Sequence, residues 1–192
     1  MNARSVNLAL KAAFAALLLF VAIRHDLPRF QGKAIPLRLV TYPIAALLVP
    51  VVWALVGRPA PYPHDIDALL AAPFAIDLAG NALDLFDSVT WWDDANHFVN
   101  WALLVAAAGR LLRRARARAP RRTAIGLAIG FGAVTAMLWE FGEYLTFVQN
   151  SAERFTAYRD TMGDEALGLA GSVVGAVLAT ARRPDASRRT SA

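Results

Sequence analysis

The sequence predicts an all-α protein, a polytopic membrane helix bundle of about six transmembrane helices. Of its 192 residues 57% are hydrophobic, and the mean hydropathy is +0.40. Apolar runs close to the ~20 residues needed to cross a ~30 Å hydrocarbon layer follow one another, separated by short polar joints. The six helices are expected at about 6–23, 37–56, 68–86, 95–112, 125–147 and 166–181.

Charged and proline residues set the expected ends and shape of the first three helices. Lys11 interrupts the first apolar stretch, and no small-residue cleavage site follows it, so we expect a retained helix rather than a secretion signal. Pro43 and Pro50 fall in the second helix, where each removes a backbone hydrogen bond and favours a kink. The proline-rich segment 58–64 predicts an extended turn before the third helix.

The third helix carries a polar stripe. Asp77, Asn81 and Asp84 are spaced i, i+4, i+7, and Asp87 follows one turn later, which predicts a single polar face that avoids lipid. An ionisable group in hydrocarbon costs roughly 2.5 kcal/mol or more, so such a face suggests a functional site. For Asp77 and Asn81 the alternative is hydrogen-bonded packing between helices.

The fourth helix begins with an acid and a histidine. Asp94 and His97 are spaced i, i+3 on one face, and a carboxylate beside an imidazole suits acid–base chemistry or a divalent metal. The alternative for Asp94 is a helix cap. Trp91 and Trp92 are interpreted as membrane-interface residues.

The fifth helix ends with a carboxylate pair. Glu140 and Glu143 are spaced i, i+3 in an apolar context, where they repel each other unless they share a cation or a proton. The alternative is a buried salt bridge from Glu140 to Arg154 or Arg159.

The sixth helix follows two further acids, Asp160 and Asp164. Its small residues in 168–175 form a stripe that predicts close packing against the fifth helix, where Gly126 and Gly130 offer a matching face. That packing would bring Asp164 to the level of Glu140.

Arginine-rich segments predict the topology. Seven arginines lie between Arg110 and Arg122 and four in the tail 182–192, which places both segments and both termini in the cytoplasm. The basic tail is expected to be disordered and to lie against anionic lipid headgroups. Cations at 24–38 disagree with this topology because they flank a loop that it places outside. Nucleic-acid binding is disfavoured because no aromatic residues are interleaved with the arginines.

Several of these motifs resemble those of the YjdF-like family of bacterial inner-membrane proteins and, more distantly, of the VanZ-like family. The matching residues are Asp94, His97, Glu140, Glu143, Asp160, Thr161, Asp164, Gly171 and Gly175. VanZ-like proteins usually have Gln at Glu143, Asn at Gly168 and Lys at Ala95. The YjdF-like resemblance implies a multi-helix bacterial membrane protein without a settled activity. The VanZ-like one implies an association with low-level glycopeptide resistance.

These motifs predict a site at the extracytoplasmic face of the bacterial inner membrane. Its catalytic residues would be His97, Asp94 and Glu140, and it would hydrolyse or modify a lipid or envelope-precursor headgroup. The predicted metal ligands are Asp94, His97, Glu140, Glu143, Asp160 and Asp164. Such oxygen-rich ligands suit Mg²⁺ or Mn²⁺ better than Zn²⁺. The alternatives are transport of protons, cations or small solutes, and a non-catalytic assembly or envelope-stress factor.

Overall fold

The computed structural model describes residues 2–115 and 119–181, so the tail 182–192 lies outside the described residues. Within these ranges the chain is helical and contains no strand. The α-helices are α1 (Ala3–Arg24), α2 (Ile35–Leu55), α3 (His64–Ala82), α4 (Leu85–Ser88), α5 (Trp92–Ala115), α6 (Arg121–Glu143) and α7 (Ala157–Thr180). A π-helical turn, Tyr144–Val148, extends α6. The all-α prediction is therefore confirmed.

Four of these helices are long and apolar enough to cross a membrane: Ala3–Arg24, Ile35–Leu55, Arg121–Thr146 and Ala157–Thr180. They correspond to the first, second, fifth and sixth predicted helices. The count of six spans stays a prediction, because α3 and α5, which contain more polar residues, are not among these four.

The two charged helices lie in the middle of the bundle. α3 packs against α1, α2 and α5, and α5 packs against α3, α6 and α7. Their polar residues can therefore face other helices, while the outer helices expose most of their apolar surface. The core between α1, α2 and α3 contains Phe14, Val21, Tyr42 and Leu78. Val105, Ala128 and Ala176 join α5, α6 and α7.

The predicted helix 68–86 is interrupted before its end. α3 ends at Ala82, and Asp84 adopts a left-handed backbone conformation (φ 62°) before the short helix α4 begins. A left-handed residue breaks the 3.6-residue period. Asp84 and Asp87 therefore do not continue the face of Asp77 and Asn81, and the four-residue stripe is corrected to a pair on α3.

The small-residue stripe on α7 packs against two helices. Its glycines meet α5, and its Ser172 meets Gly132 of α6, so the predicted packing against α6 is confirmed. A Cβ atom at Gly171 would overlap the carbonyl oxygen of Phe98, and one at Gly175 would overlap that of Ala102. The two contact pairs ascend together along the chain, so α5 and α7 run parallel. The residues of α6 that make this contact are corrected from Gly126 and Gly130 to Gly132, because nothing among the described residues lies within 4 Å of a Cβ built at Gly126 or Gly130.

This packing predicts different responses to alanine at two helical glycines. We expect Gly171→Ala to lower the melting temperature in detergent by several degrees, because the new methyl group forces α5 and α7 apart. Gly130→Ala should leave the melting temperature unchanged or raise it slightly, because alanine favours a helix and has open space there. Equal melting of the two variants would contradict the α5–α7 contact.

Candidate functional site

His97 lies at the centre of a group of carboxylates contributed by three helices. The side chain is 7% exposed. Its Nδ1 atom lies 3.7 Å from Oε1 of Glu140, and its Nε2 atom lies 3.8 Å from Oδ1 of Asp164. Nε2 also lies 3.8 Å from Oδ1 of Asp93. We call these residues, together with Glu143, the His97 cluster.

The local structure of each helix explains how the cluster assembles. Asp93 and His97 are one turn apart near the start of α5. Glu140 and Glu143 come from the last turn of α6. Asp164 lies on the α7 face that carries the glycine stripe, so the contact of that stripe with α5 places its carboxylate beside His97.

Two sets of three residues bring potential metal ligands close together. They are Asp93, His97 and Asp164, and His97, Glu140 and Glu143. In each set the potential ligand atoms lie within 4.8 Å of one another. A neutral imidazole has one lone pair and one N–H, so one ring nitrogen can bind an ion while the other donates to a carboxylate. In either set one ring nitrogen of His97 faces the potential metal ligands, and the other faces a carboxylate outside the set.

The structure brings together most of the residues that the sequence singled out for the site. His97, Glu140, Glu143 and Asp164 meet, but Asp93 rather than Asp94 lies beside the imidazole. Asp94 is exposed. Spacings of i+3 and i+4 both place two residues on one face of a helix, so both Asp94 and Asp93 were compatible with a contact to His97, and the structure has the i+4 pair. The i, i+4 spacing of Asp93 and His97 was the available signal.

The remaining predicted ligand, Asp160, lies near the His97 cluster but in neither metal set, and its role as a ligand stays a prediction. Asp160 is exposed and lines the same cavity as His97. Among the described ion pairs, that of Glu140 is with His97. Arg154 lies over the ring of Phe155, 4.6 Å from its centroid. Arg159 is exposed and forms no ion pair with Glu140 among the described residues, so the alternative of a structural salt bridge from Glu140 to Arg154 or Arg159 is corrected.

A second buried group joins α2 to α3. Arg38 Nε donates to Oδ2 of Asp77 at 3.1 Å and to the Tyr42 hydroxyl at 3.0 Å. The Tyr42 hydroxyl donates to the same carboxylate oxygen at 2.5 Å. Arg38 also interacts electrostatically with Glu143, which links this group to the His97 cluster. The sequence analysis did not identify Arg38 or Tyr42, although their i, i+4 spacing places both on one face of α2.

The cations that disagreed with the predicted topology have partners near the end of α3. Lys33 forms an ion pair with Asp87 at 2.7 Å, and Arg29 Nη1 donates to the carbonyl oxygen of Ala82 at 2.7 Å. Arg38 points inward to Asp77. These three positive charges therefore have partners within the protein, and the orientation of the loop stays a prediction.

A third polar group lies at the other end of α3 and was not identified from the sequence. Asp67 is 1% exposed; it receives 2.8 Å contacts from Lys11 Nζ and Asn7 Nδ2. The Tyr62 hydroxyl donates to it at 2.7 Å. Burial and this hydrogen bond hold the pKa of Tyr62 above its ordinary value, so the phenol stays a donor at neutral pH. Asn7 and Lys11 are four residues apart, so the sequence could have indicated one polar face on α1.

A cavity of about 540 Å³ lies between the His97 cluster and the buried group of Arg38, Tyr42 and Asp77. Its wall includes Arg38, Tyr42, Asp77 and Asn81 from α2 and α3, and Asp93, His97, Glu143 and Asp160 from α5, α6 and α7. This volume lies within the range of small-molecule sites, about 300–1,000 Å³. The cavity can therefore hold a ligand beside His97.

Comparison with known proteins agrees with the membrane character of the chain. No curated protein and no solved structure matches it significantly. A family model described as "Predicted membrane protein (DUF2238)" matches residues 6–185, almost the whole chain. The YjdF-like family is this family, which confirms that resemblance, whereas the VanZ-like resemblance stays a prediction. The chain therefore belongs to the DUF2238 family of membrane proteins.

Proposed function

We propose that the protein binds a divalent metal ion at the His97 cluster and uses it to hydrolyse or transfer a group on a lipid or envelope-precursor headgroup. In this proposal the cluster faces the extracytoplasmic side of the bacterial inner membrane. A bound ion would polarise the ester or phosphoryl oxygen of the substrate and activate a water molecule.

The observation that carries the proposal is the pair of carboxylate approaches to both ring nitrogens of His97. At 3.7 and 3.8 Å these contacts are longer than hydrogen bonds. Two ligand atoms each about 2.1 Å from one ion lie about 3.0 to 3.4 Å apart at octahedral or tetrahedral angles. To complete a metal site the His97 contacts would have to shorten by about 0.3–0.8 Å, and the other pairs of ligand atoms, which lie within 4.8 Å of one another, by up to about 1.8 Å.

The first set, which contains Asp93, is our preferred binding site. The side chain of Asp93 is 47% exposed, so an ion can enter from water without crossing the apolar bundle. Nδ1–H of His97 would then donate to Glu140, which orients the imidazole as carboxylates commonly do in metal sites. The carboxylate-rich ligand set favours Mg²⁺ or Mn²⁺.

Transport is less well supported by the arrangement of polar groups along α3. Asp67 and Asp77 are ten residues apart, about 15 Å along the helix axis. Residues 68–76 between them are all apolar. A proton or cation path along α3 would have to bridge this segment, whereas the metal proposal requires only groups that already lie together.

Manganese binding tests the proposal. We expect purified protein, stripped of metal and titrated with Mn²⁺, to bind one ion per chain, measured as the loss of the electron paramagnetic resonance signal of free Mn²⁺. His97→Ala should abolish this binding because the imidazole is common to both metal sets. His25→Ala is the matched control, since His25 is exposed and contacts the carbonyl oxygen of Ala22.

Two outcomes would reject the metal proposal. One is a wild-type protein that binds no stoichiometric ion. The other is equal Mn²⁺ affinity in folded His97→Ala and His25→Ala. Because His97 is buried, His97→Gln provides a second variant of closer size if His97→Ala does not fold.

A further inference from the structure

The wall of the cavity beside the His97 cluster contains more acidic than basic side chains. Among the described residues that line it, five are carboxylates and two are lysine or arginine. Lys33 is paired with Asp87 at 2.7 Å, and Arg38 is paired with Asp77 at 3.1 Å. The other three carboxylates are Asp93, Glu143 and Asp160. A cavity whose acids exceed its cations disfavours anionic ligands and favours cationic ones.

A buried oxygen on the same wall lacks a hydrogen-bond partner. The side chain of Asn81 is 1% exposed, and its Oδ1 atom has no partner within the described part of the chain. The amide nitrogen donates to the carbonyl oxygen of Asp77 at 2.9 Å, which orients the amide because two oxygens cannot pair with each other. Oδ1 of Asn100 is a second such oxygen on this wall. Buried acceptors without partners cost free energy that the N–H groups of a ligand can recover.

The acids of the wall lie at two depths. Glu143 is half-buried and interacts electrostatically with Asp77, whose carboxylate lies 3.5 Å from the amide nitrogen of Asn81. Asp160 is exposed and interacts electrostatically with Asp94, which is also exposed. One carboxylate therefore lies towards the interior, near the unpartnered amide oxygen, and another lies at the surface.

Aromatic and aliphatic side chains complete the wall. Phe74, Trp101, Leu104 and Trp139 line the cavity, and Trp101 is 6% exposed. Methylene groups of a ligand are removed from water against such a surface. The face of an aromatic ring also attracts an ammonium group that lies within about 6 Å of its centroid. These features suit a ligand whose ammonium groups are joined by a hydrocarbon chain.

We infer that the cavity binds a linear aliphatic polyamine, of which putrescine is a simple example. One ammonium group donates to Oδ1 of Asn81 and contacts the carboxylate of Glu143. The second ammonium group contacts Asp160. The methylene chain between them lies against Phe74 and Trp101.

The inference is independent of the proposed function, because the polyamine and the metal ion use different groups. The preferred metal set consists of Asp93, His97 and Asp164, and it contains neither Glu143 nor Asp160. Polyamine binding can therefore be measured in protein that has been stripped of metal.

Calorimetric titration of the protein in neutral detergent with four probes tests the ligand class. The probes are putrescine, the diol of the same chain length, butylamine, and the analogue of putrescine in which both ammonium groups are fully methylated. The diol lacks charge, butylamine lacks the second ammonium group, and the methylated analogue lacks N–H donors. We expect putrescine to bind, the diol not to bind, and the other two probes to bind at least about tenfold more weakly.

Variants of the cavity wall assign the contacts. Glu143→Gln should weaken putrescine and butylamine by about tenfold, because both lose a charged partner. Asp160→Asn should weaken putrescine by about fivefold and leave butylamine unchanged, because the outer contact is exposed. Asn81→Leu should remove the preference for putrescine over its methylated analogue. If Asn81→Leu does not fold, Asn81→Ala removes the same oxygen with a smaller side chain.

Asp26→Asn is the matched control for the two acids. Asp26 is exposed in the loop that also contains Lys33, and it lies outside the cavity wall. Its loss should change putrescine affinity by about twofold or less. Putrescine binding equal to that of any other probe, or equal effects of Glu143→Gln and Asp26→Asn, would overturn the polyamine assignment.

The results also separate this inference from the metal proposal. Stoichiometric Mn²⁺ binding in a protein that does not bind putrescine would reject the polyamine inference alone. Putrescine binding of the expected pattern in a protein that binds no Mn²⁺ would reject the metal proposal alone.

Discussion

Replacing Asp164 with asparagine is expected to weaken Mn²⁺ binding by about a hundredfold, because the variant loses a buried carboxylate that lies beside Nε2 of His97. The fold should persist, since the amide has nearly the same shape and its neutrality relieves repulsion between neighbouring acids. The affinity is measured by the Mn²⁺ titration, and a melting curve of each variant checks that it is folded.

Asp94→Asn is the control for this prediction. Asp94 carries the same charge near the start of α5 but is exposed. We expect its loss to change the Mn²⁺ affinity by about threefold or less, as for other solvent-screened charges. A larger effect at Asp94 than at Asp164 would restore the i, i+3 pair that the sequence suggested and contradict the placement of Asp93 and Asp164.

Removing the charge of Lys11 is expected to destabilise the protein by about 3 kcal/mol, because Asp67 is then left buried without its cation. Lys11→Met keeps the length of the side chain and so isolates the loss of charge and of the bond to the carbonyl oxygen of Ala46. The free energy of unfolding is measured in mixed micelles of neutral detergent and sodium dodecyl sulfate.

A double variant distinguishes the buried ion pair from simple packing. Lys11→Met with Asp67→Asn should recover more than half of the lost stability, because no uncompensated charge remains. Arg24→Met is the matched control. Its partner Asp26 is exposed, so we expect a change within about 0.5 kcal/mol. A double variant less stable than Lys11→Met alone would show that Asp67 acts through its other hydrogen bonds.

Local sequence patterns were sufficient to predict the helical class and several of the ionisable residues that meet in the His97 cluster. Apolar segments of the right length identified the outer helices, because lipid-facing surfaces must be apolar along most of a helix. Ionisable residues within such segments identified His97, Glu140 and Asp164, because their burial requires partners. The glycine stripe of α7 predicted close helix packing, since only glycine permits it there.

Tertiary structure alone decided which helices the stripe contacts and which residues meet across helices. Gly171 meets α5 and Ser172 meets α6, because α7 packs against both of these helices, and local spacing does not encode that arrangement. The i, i+4 spacing of Asp93 and His97 is a local feature of α5, whereas the approach of Asp164 to the same ring nitrogen depends on the packing of α7 against α5.

The sequence also did not predict that a cation near the first loop points into the bundle. Arg38 looked like a topological charge, but it lies against Asp77 because α2 and α3 pack together and a buried carboxylate needs a cation. The sequence by itself determined that this protein has apolar helices with ionisable groups inside them. Packing decided which of those groups are neighbours, because the distance between residues far apart in the chain depends on how whole helices are arranged.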